Sequence, residues 1–205
     1  EKMLEGMKQY VEDDRFSVSN ISSLYYDNDR FELIRRSIEK PEYKEKLRVR
    51  SYGKGDKVFV ELKKKLDGIV YKRRSKARMD DVRNDIYTCK LDDAQVGKEI
   101  AYVLNCYGKL SPKIYIGCKR YSFVAKDDKD LRITFDGDIR YRMEDLDLKE
   151  NIKDKPLTDK VVMELKVKDA MPLWLTSLLD EIKAYPRGFS KVGNAYLKEN
   201  GGIII

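Results

Sequence analysis

Lys46–Arg74 reads KLRVRSYGKGDKVFVELKKKLDGIVYKRR, and its alternation decides the fold. Lys46, Arg48 and Arg50 point one way while Leu47 and Val49 point the other, the two-residue period of a β-strand with one cationic and one apolar face. A turn carrying Gly53 and Gly55 follows. In the next run Phe59, Glu61 and Lys63 share a face opposite Val58, Val60 and Leu62. Asp67-Gly68 turns the chain again, into Ile69–Arg74 with more Lys and Arg. Between Lys46 and Arg78 there are 13 Lys/Arg against 3 Asp/Glu. Like charges on neighbouring strands repel, so the pattern calls for an anion among them.

Working outward, the 205 residues suffice for one sizeable core, with 41% hydrophobic and 39% charged residues and a net charge of +7. No apolar run is long enough to span a bilayer, and the N-terminus lacks a secretory core. Three cysteines (Cys89, Cys106 and Cys118) without CxxC spacing indicate a reduced, cytoplasmic chain. Histidine is absent, which excludes His-based acid–base chemistry, Ser-His or Cys-His nucleophiles and His-ligated zinc. Carboxylates, Lys/Arg, hydroxyls or a hard metal ion must carry any chemistry.

Upstream of the basic hairpin, a helix near Glu1–Val11 leads to a strand at Ser19–Tyr26. Asp27-Asn28-Asp29 caps a helix over 30–39 with Phe31, Ile34 and Ile38 along one side, and Pro41 ends it. Residues 73–85 read as continued strand or a helix start. Asp92-Asp93 caps a helix to about Cys106 with an apolar stripe of Val96, Ile100, Val103 and Leu104, closed by Gly108. Strands follow at 113–125, at 130–136 and, after a Gly137-Asp138 turn, at 139–143; another spans 161–168. A helix at 173–184 buries Leu175, Leu178, Leu179 and Ile182. FSKVGNAY (Phe189–Tyr196) closes the fold, and the apolar ending GGIII has no evident role. No linker or composition break divides the chain, so 1–205 reads as a single domain.

One charged strand face ordinarily meets water. ELKKK alone could be a lysine-defended edge strand, and Tyr25-Tyr26 reads as core rather than as a stacking platform. Repetition favours a lined interior, because at least five strands carry charge of mixed sign on one face. A closed sheet would put the charged faces in its lumen and the apolar faces outward under helices. Lys and Arg there suit phosphates, and Glu61, Glu164 or Asp136 suit Mg²⁺ or Mn²⁺. RNA binding is the rival reading, but the carboxylates in register with the cations oppose it.

At these residues the chain resembles the VTC domain, the polyphosphate polymerase domain of the vacuolar transporter chaperone family, within the triphosphate tunnel metalloenzymes. The segments that carry the likeness are SLYYDN (Ser23–Asn28), EKLRVRSYG (Glu45–Gly53), FVELKKK (Phe59–Lys65) and GIVYKRR (Gly68–Arg74). KRYSF (Lys119–Phe123), LRITFD (Leu131–Asp136), MELKV (Met163–Val167) and FSKVGNAY continue it in order. The resemblance implies an α+β fold: an antiparallel eight-stranded β tunnel barrel with helices packed outside. It implies transfer of the ATP γ-phosphate to polyphosphate with Mn²⁺ or Mg²⁺; from the residues themselves, no nucleic-acid partner and no membrane segment in this chain are expected. Arg48, Arg50 and Lys63 would be catalytic. Lys72, Arg120, Ser190 and Lys191 would bind phosphate, and Glu164 would hold the metal; by alternation Lys46, Arg132 and Lys166 would also bind phosphate, and Glu61 and Asp136 would line the tunnel. Hydrolysis of triphosphates or polyphosphate on the same scaffold and non-catalytic polyphosphate binding are the alternatives. Two departures stand out. The family's opening R-x-E-x-K strand has no counterpart beyond Glu1-Lys2, which would leave the tunnel short of a wall. Cys118 stands where relatives carry Tyr, which would remove a phosphate hydrogen bond.

Overall fold

The computed structural model describes residues 1–53, 55–87 and 89–202, and Ile203–Ile205 of the apolar ending lie outside them. Helix α1 (Lys2–Met7) leads to β1 (Val11–Asp27) and α2 (Glu32–Glu39). The basic segment forms β2 (Tyr43–Tyr52), β3 (Lys57–Leu66) and β4 (Ile69–Arg78). Helices α3 (Met79–Asn84) and α4 (Ala94–Tyr107) separate these from β5 (Ser111–Ala125) and β6 (Arg132–Arg142). The chain ends through β7 (Lys155–Pro156), β8 (Val162–Lys166), α5 (Leu173–Glu181) and α6 (Lys191–Glu199).

All eight strands join one antiparallel sheet in the order β4-β3-β2-β1-β5-β6, with β7 and β8 both pairing β6. The α+β class, the antiparallel pairing and the strand number are those expected. The barrel differs in one respect: among the described residues no ladder joins β4 to β8, so the sheet keeps two edges. Among the described residues no helix is long and apolar enough to cross a membrane.

The alternation read in the basic hairpin is realised. Leu47, Val49, Val58, Val60 and Leu62 are buried and pack with Val96, Ile100, Val103 and Leu104 of α4. Asp93 starts that helix by accepting from the backbone N–H groups of Gln95 and Val96, and Gly108 ends it at φ 72°. On the opposite face, Ile114 and Ile116 of β5 pair with Tyr25 and Ser23, which pair in turn with Arg48 and Arg50. These isoleucines, with Ile139 and Tyr141, receive residues of α2 and α6. Helices therefore cover the reverse face, as expected, but α2 and α6 also cover the apolar half of the charged face. A third cluster joins Met3 and Met7 of α1 to Leu175 and Leu178 of α5, and Tyr10 stacks on Trp174 at 4.5 Å.

Three local differences have plain causes. Strand β1 begins at Val11, eight residues before the expected Ser19, because Val11–Asp13 pair with Phe123–Ala125 across an irregularity that breaks the alternation. Gly137-Asp138 is a bulge within a continuous β6 rather than a turn: Asp138 sits at φ 45°, and the register skips between Lys119↔Gly137 and Gly117↔Arg140. Helix α2 is entered through Phe31 at φ 56°, and the buried Asp27 carboxylate accepts from the N–H groups of Leu33 and Ile34.

After β6 the chain is held by Arg142. Its guanidinium lies 4.0 Å from the Tyr115 ring centroid, donates to Asp154 Oδ1 at 2.6 Å and to Asp147 Oδ1 at 2.7 Å, and reaches the carbonyls of Asp145, Asp147 and Lys149. Arg142 and Asp154 are both buried, so removing one partner leaves a buried charge unanswered. Arg142→Ala is expected to lose roughly 3–5 kcal/mol in urea unfolding, and limited proteolysis should cut the variant first within 143–154. Unchanged stability would refute this role for the arginine.

Candidate functional site

The ladders align Tyr25, Arg48, Glu61 and Arg74 across four adjacent strands. Glu61 is 2% exposed, on the face opposite the Val58–Val60–Leu62 core. Arg48 donates from Nε to Glu61 Oε2 at 2.7 Å and from Nη1 to the Tyr25 hydroxyl at 2.9 Å. Arg50 Nε donates to Ser23 Oγ at 3.1 Å and lies 4.0 Å from Glu61. Lys72 and Arg74 approach Glu61 Oε1 at 3.9 and 3.3 Å, and the Arg74 guanidinium lies over the Phe59 ring at 3.6 Å. Burial would raise the Glu61 pKa, but Arg48, Arg50 and Lys72 outweigh it and hold the group ionised below the ordinary carboxylate range. Four cations around one carboxylate leave a surplus of three positive charges. Glu61 Oε1 is buried and accepts no hydrogen bond.

A second group stands where β5 and β6 meet α6. Arg120 grips Asp136 with two parallel hydrogen bonds of 2.6 and 2.7 Å, and Lys191 Nζ reaches the same carboxylate at 2.6 Å. Burial opposes ionisation of Asp136, yet Arg120 and Lys191 keep its pKa depressed. Ser190 caps α6 by accepting from Gly193 N–H at 3.1 Å, and accepts from Lys46 Nζ at 2.9 Å. Gly193 sits at a close approach: a Cβ there would lie 3.1 Å from both Ile38 and Ser190 Oγ, which would have to give way slightly. Burial pushes the Lys46 pKa down to about 8. Burial would raise Tyr25, but Arg48, Arg50 and Lys46 bring its pKa down to about 8 as well.

The structure thus gathers Lys46, Arg48, Arg50, Lys72, Arg120, Ser190 and Lys191 on one face. Lys63 lies in register between Lys46 and Lys72 and is exposed. Arg132 and Lys166 lie opposite each other on the more open β6–β8 end, and Arg132 pairs with Asp14 at 3.5 Å. Glu164 is half exposed, with Arg120 and Lys166 each 3.9 Å away. Cys118 lies on the Arg120 strand face, partly buried against the α6 cluster, and its thiol pKa is raised by burial and then by Asp136. Three contributors escaped the sequence reading. Tyr25 is core as expected, yet its hydroxyl also receives Arg48; Ser23 needed the β1–β2 register; Arg74 was legible as two residues beyond Lys72.

Among the described residues no three or more Cys, Asp or Glu side chains gather into a metal cluster. Glu61 and Asp136 are surrounded by cations, which leaves Glu164. A Mg²⁺ or Mn²⁺ ion fits there on one protein carboxylate only if phosphate and water complete its shell, the usual habit of Mg²⁺.

The family model described as the VTC domain matches residues 2–199. No curated protein matches the chain at a significant level. Among solved structures, the PH1819 protein from Pyrococcus horikoshii OT3 is similar at 13% identity and a TM-score of 0.49, covering 98% of this chain and 93% of that one. At that score the likeness carries no argument.

A polyanion on this face would favour charged Lys46 and neutral Tyr25, so its binding should take up protons where both groups titrate, near pH 8. Tripolyphosphate affinity is therefore expected to fall between about pH 7 and about pH 9. Calorimetry in two buffers of different ionisation enthalpy should report net proton uptake that Lys46→Met diminishes. Proton release on binding would contradict the assignment.

Proposed function

The chain belongs to the VTC domain family and so has a polyphosphate-related function; we propose that it acts, as one domain in the cytoplasm, as a polymerase that extends inorganic polyphosphate from ATP. The observation that carries this reading is the surplus of cations around Glu61, of which Arg48 and Arg50 are held by hydrogen bonds before any phosphate arrives. Such a face suits the negative charge of a phosphoryl group in transfer, because its donors need little reorganisation.

In the proposed reaction a terminal oxygen of the chain bonds to the γ-phosphorus as the bond to the β–γ bridging oxygen breaks, and ADP leaves. Arg48 and Arg50, held by Glu61, Tyr25 and Ser23, would fix the transferred group. The exposed Lys63 and Lys72 would neutralise the equatorial oxygens, and Arg120 and Lys191 would hold the acceptor chain beside Asp136. Arg132 and Lys166 would meet phosphate at the open β8 end. Glu164 would hold Mn²⁺ or Mg²⁺, which when bound would supply neutralisation of phosphate charge. No covalent nucleophile is needed; positioning and charge carry the step.

Incubation with ATP and Mn²⁺ followed by gel sizing tests the reading. Lengthening chains are expected from the wild type. Lys63→Ala and Glu164→Ala, both at exposed positions whose loss leaves the core intact, should each lower the rate about 10²–10³-fold. Phosphate release without chains would replace synthesis by hydrolysis on the same site. Binding of polyphosphate without turnover would remove the enzyme reading and leave a binding module.

A further inference from the structure

The strands that carry the cationic face also wall a pocket on their other side. Leu24 and Val49 pair across the β1–β2 ladder and, by alternation, point away from Tyr25, Arg48 and Arg50. Behind them, against α3 and the segments 109–112 and 146–148, lies a pocket of about 460 Å³. Its lining includes Leu24, Val49, Val82, Ile86, Leu110 and Leu148, all buried members of the core that α4 covers. A packed interior leaves few voids larger than a water molecule. Small-molecule sites, in contrast, span roughly 300–1,000 Å³ and are mostly apolar with a few placed polar groups.

One polar group is placed among them. Tyr26 lines the pocket and is 6% exposed. Buried tyrosine hydroxyls ordinarily find a partner, yet no hydrogen bond to that of Tyr26 occurs among the described residues. Burial first, then Cys89 and Asp85, push its pKa up to about 12, so at ordinary pH it remains a neutral O–H with a proton to donate. The charged lining residues are two of each sign, Arg83 and Lys109 against Asp85 and Asp147. No net charge selects an ion here, unlike the cationic face across the sheet. An apolar body with one acceptor oxygen matches this lining.

We propose that this pocket binds a neutral, largely apolar small molecule, in class a carbonyl compound, whose oxygen accepts a hydrogen bond from the Tyr26 hydroxyl while its skeleton packs on Leu24, Val49 and Val82. The proposal does not rest on the proposed function. The pocket shares no residue with the Glu61 or Asp136 group and lies on the opposite face of β1 and β2. Tyr25 and Tyr26 thus divide the two faces, one hydroxyl receiving Arg48 and the other serving the pocket.

The test is a fluorescence titration of the whole chain with prodan, a neutral naphthyl ketone whose emission shifts in apolar surroundings, on the wild type, Tyr26→Phe and Val82→Phe. Tyr26→Phe keeps the ring and removes only the oxygen. It should bind prodan about three- to tenfold more weakly, the worth of one hydrogen bond. Its urea midpoint should stay at or above that of the wild type, because no hydrogen bond within the fold is lost. Val82→Phe puts a ring into the pocket and should abolish binding. Saturating tripolyphosphate should leave bound prodan in place, since it would occupy the other face. No binding to the wild type, equal affinity for the wild type and either variant, or displacement by tripolyphosphate would overturn the site. A lowered urea midpoint in Tyr26→Phe would show the hydroxyl already partnered within the fold and would overturn it as well.

Discussion

The burial of Glu61 among cations is the constraint on which this molecule depends. A carboxylate 2% exposed is tolerable only where opposite charges and hydrogen bonds replace water. Arg48 does most of that directly, and Tyr25 fixes the far side of the same guanidinium. The reverse also holds: Arg48, Arg50, Lys72 and Arg74 could not share one strip of sheet without an anion between them. What remains is repulsion, notably along Lys46, Lys63 and Lys72, which lie in register with no carboxylate in their row. Opposed like charges cost of order 0.2–1 kcal/mol per pair. On the reverse face Leu47, Val49, Val58, Val60 and Leu62 are essentially fully buried, contributing on the order of 10 kcal/mol as an upper estimate. The apolar backing wins, and the cationic face is carried as a tolerated strain.

Helix α6 joins the two halves of that face. Its cap, Ser190, meets Lys46, and Lys191 meets Asp136. In the same helix Val192 and Ala195 are buried in the cluster with Ile114, Ile116 and Tyr141. Nine residues therefore serve the polar and the apolar half together, and Gly193 lets the helix sit close enough to α2 to do so. A substitution that shifted α6 would move Ser190 and Lys191 along with the core, so packing and site cannot be varied independently here.

What the sequence made legible follows from what periodicity encodes. A period of two gave the faces of β2 and β3, and with them Arg48, Glu61 and the Val58–Leu62 core. It could not give register, which is why Ser23 and the Tyr25 hydroxyl became visible only once β1 was aligned on β2. Nor could it survive a bulge: Gly137-Asp138 looks like a turn in one dimension, and only the β5 partner shows the strand continuing past it. The position of α6 was hidden for another reason. Ile114 and Ile116 alternate as a strand should, but nothing local says that their face becomes charged at Arg48 on one side and stays apolar toward Tyr141 on the other.

The division between buried and exposed cations carries the argument from fold to chemistry. Arg48, Arg50 and Arg120 are bound to carboxylates or hydroxyls and largely shielded, so their positions are set before a phosphate enters. Lys63, Lys72, Lys166 and Glu164 are exposed and long, free to follow a group that changes shape. Arginine suits the first task because its planar fork meets phosphate in a fixed geometry; lysine suits the second because a compact charge on a flexible stem adapts. On the proposed reading the fixed set would supply field and register and the exposed set accommodation, and a phosphoryl group passing between two anions would require both.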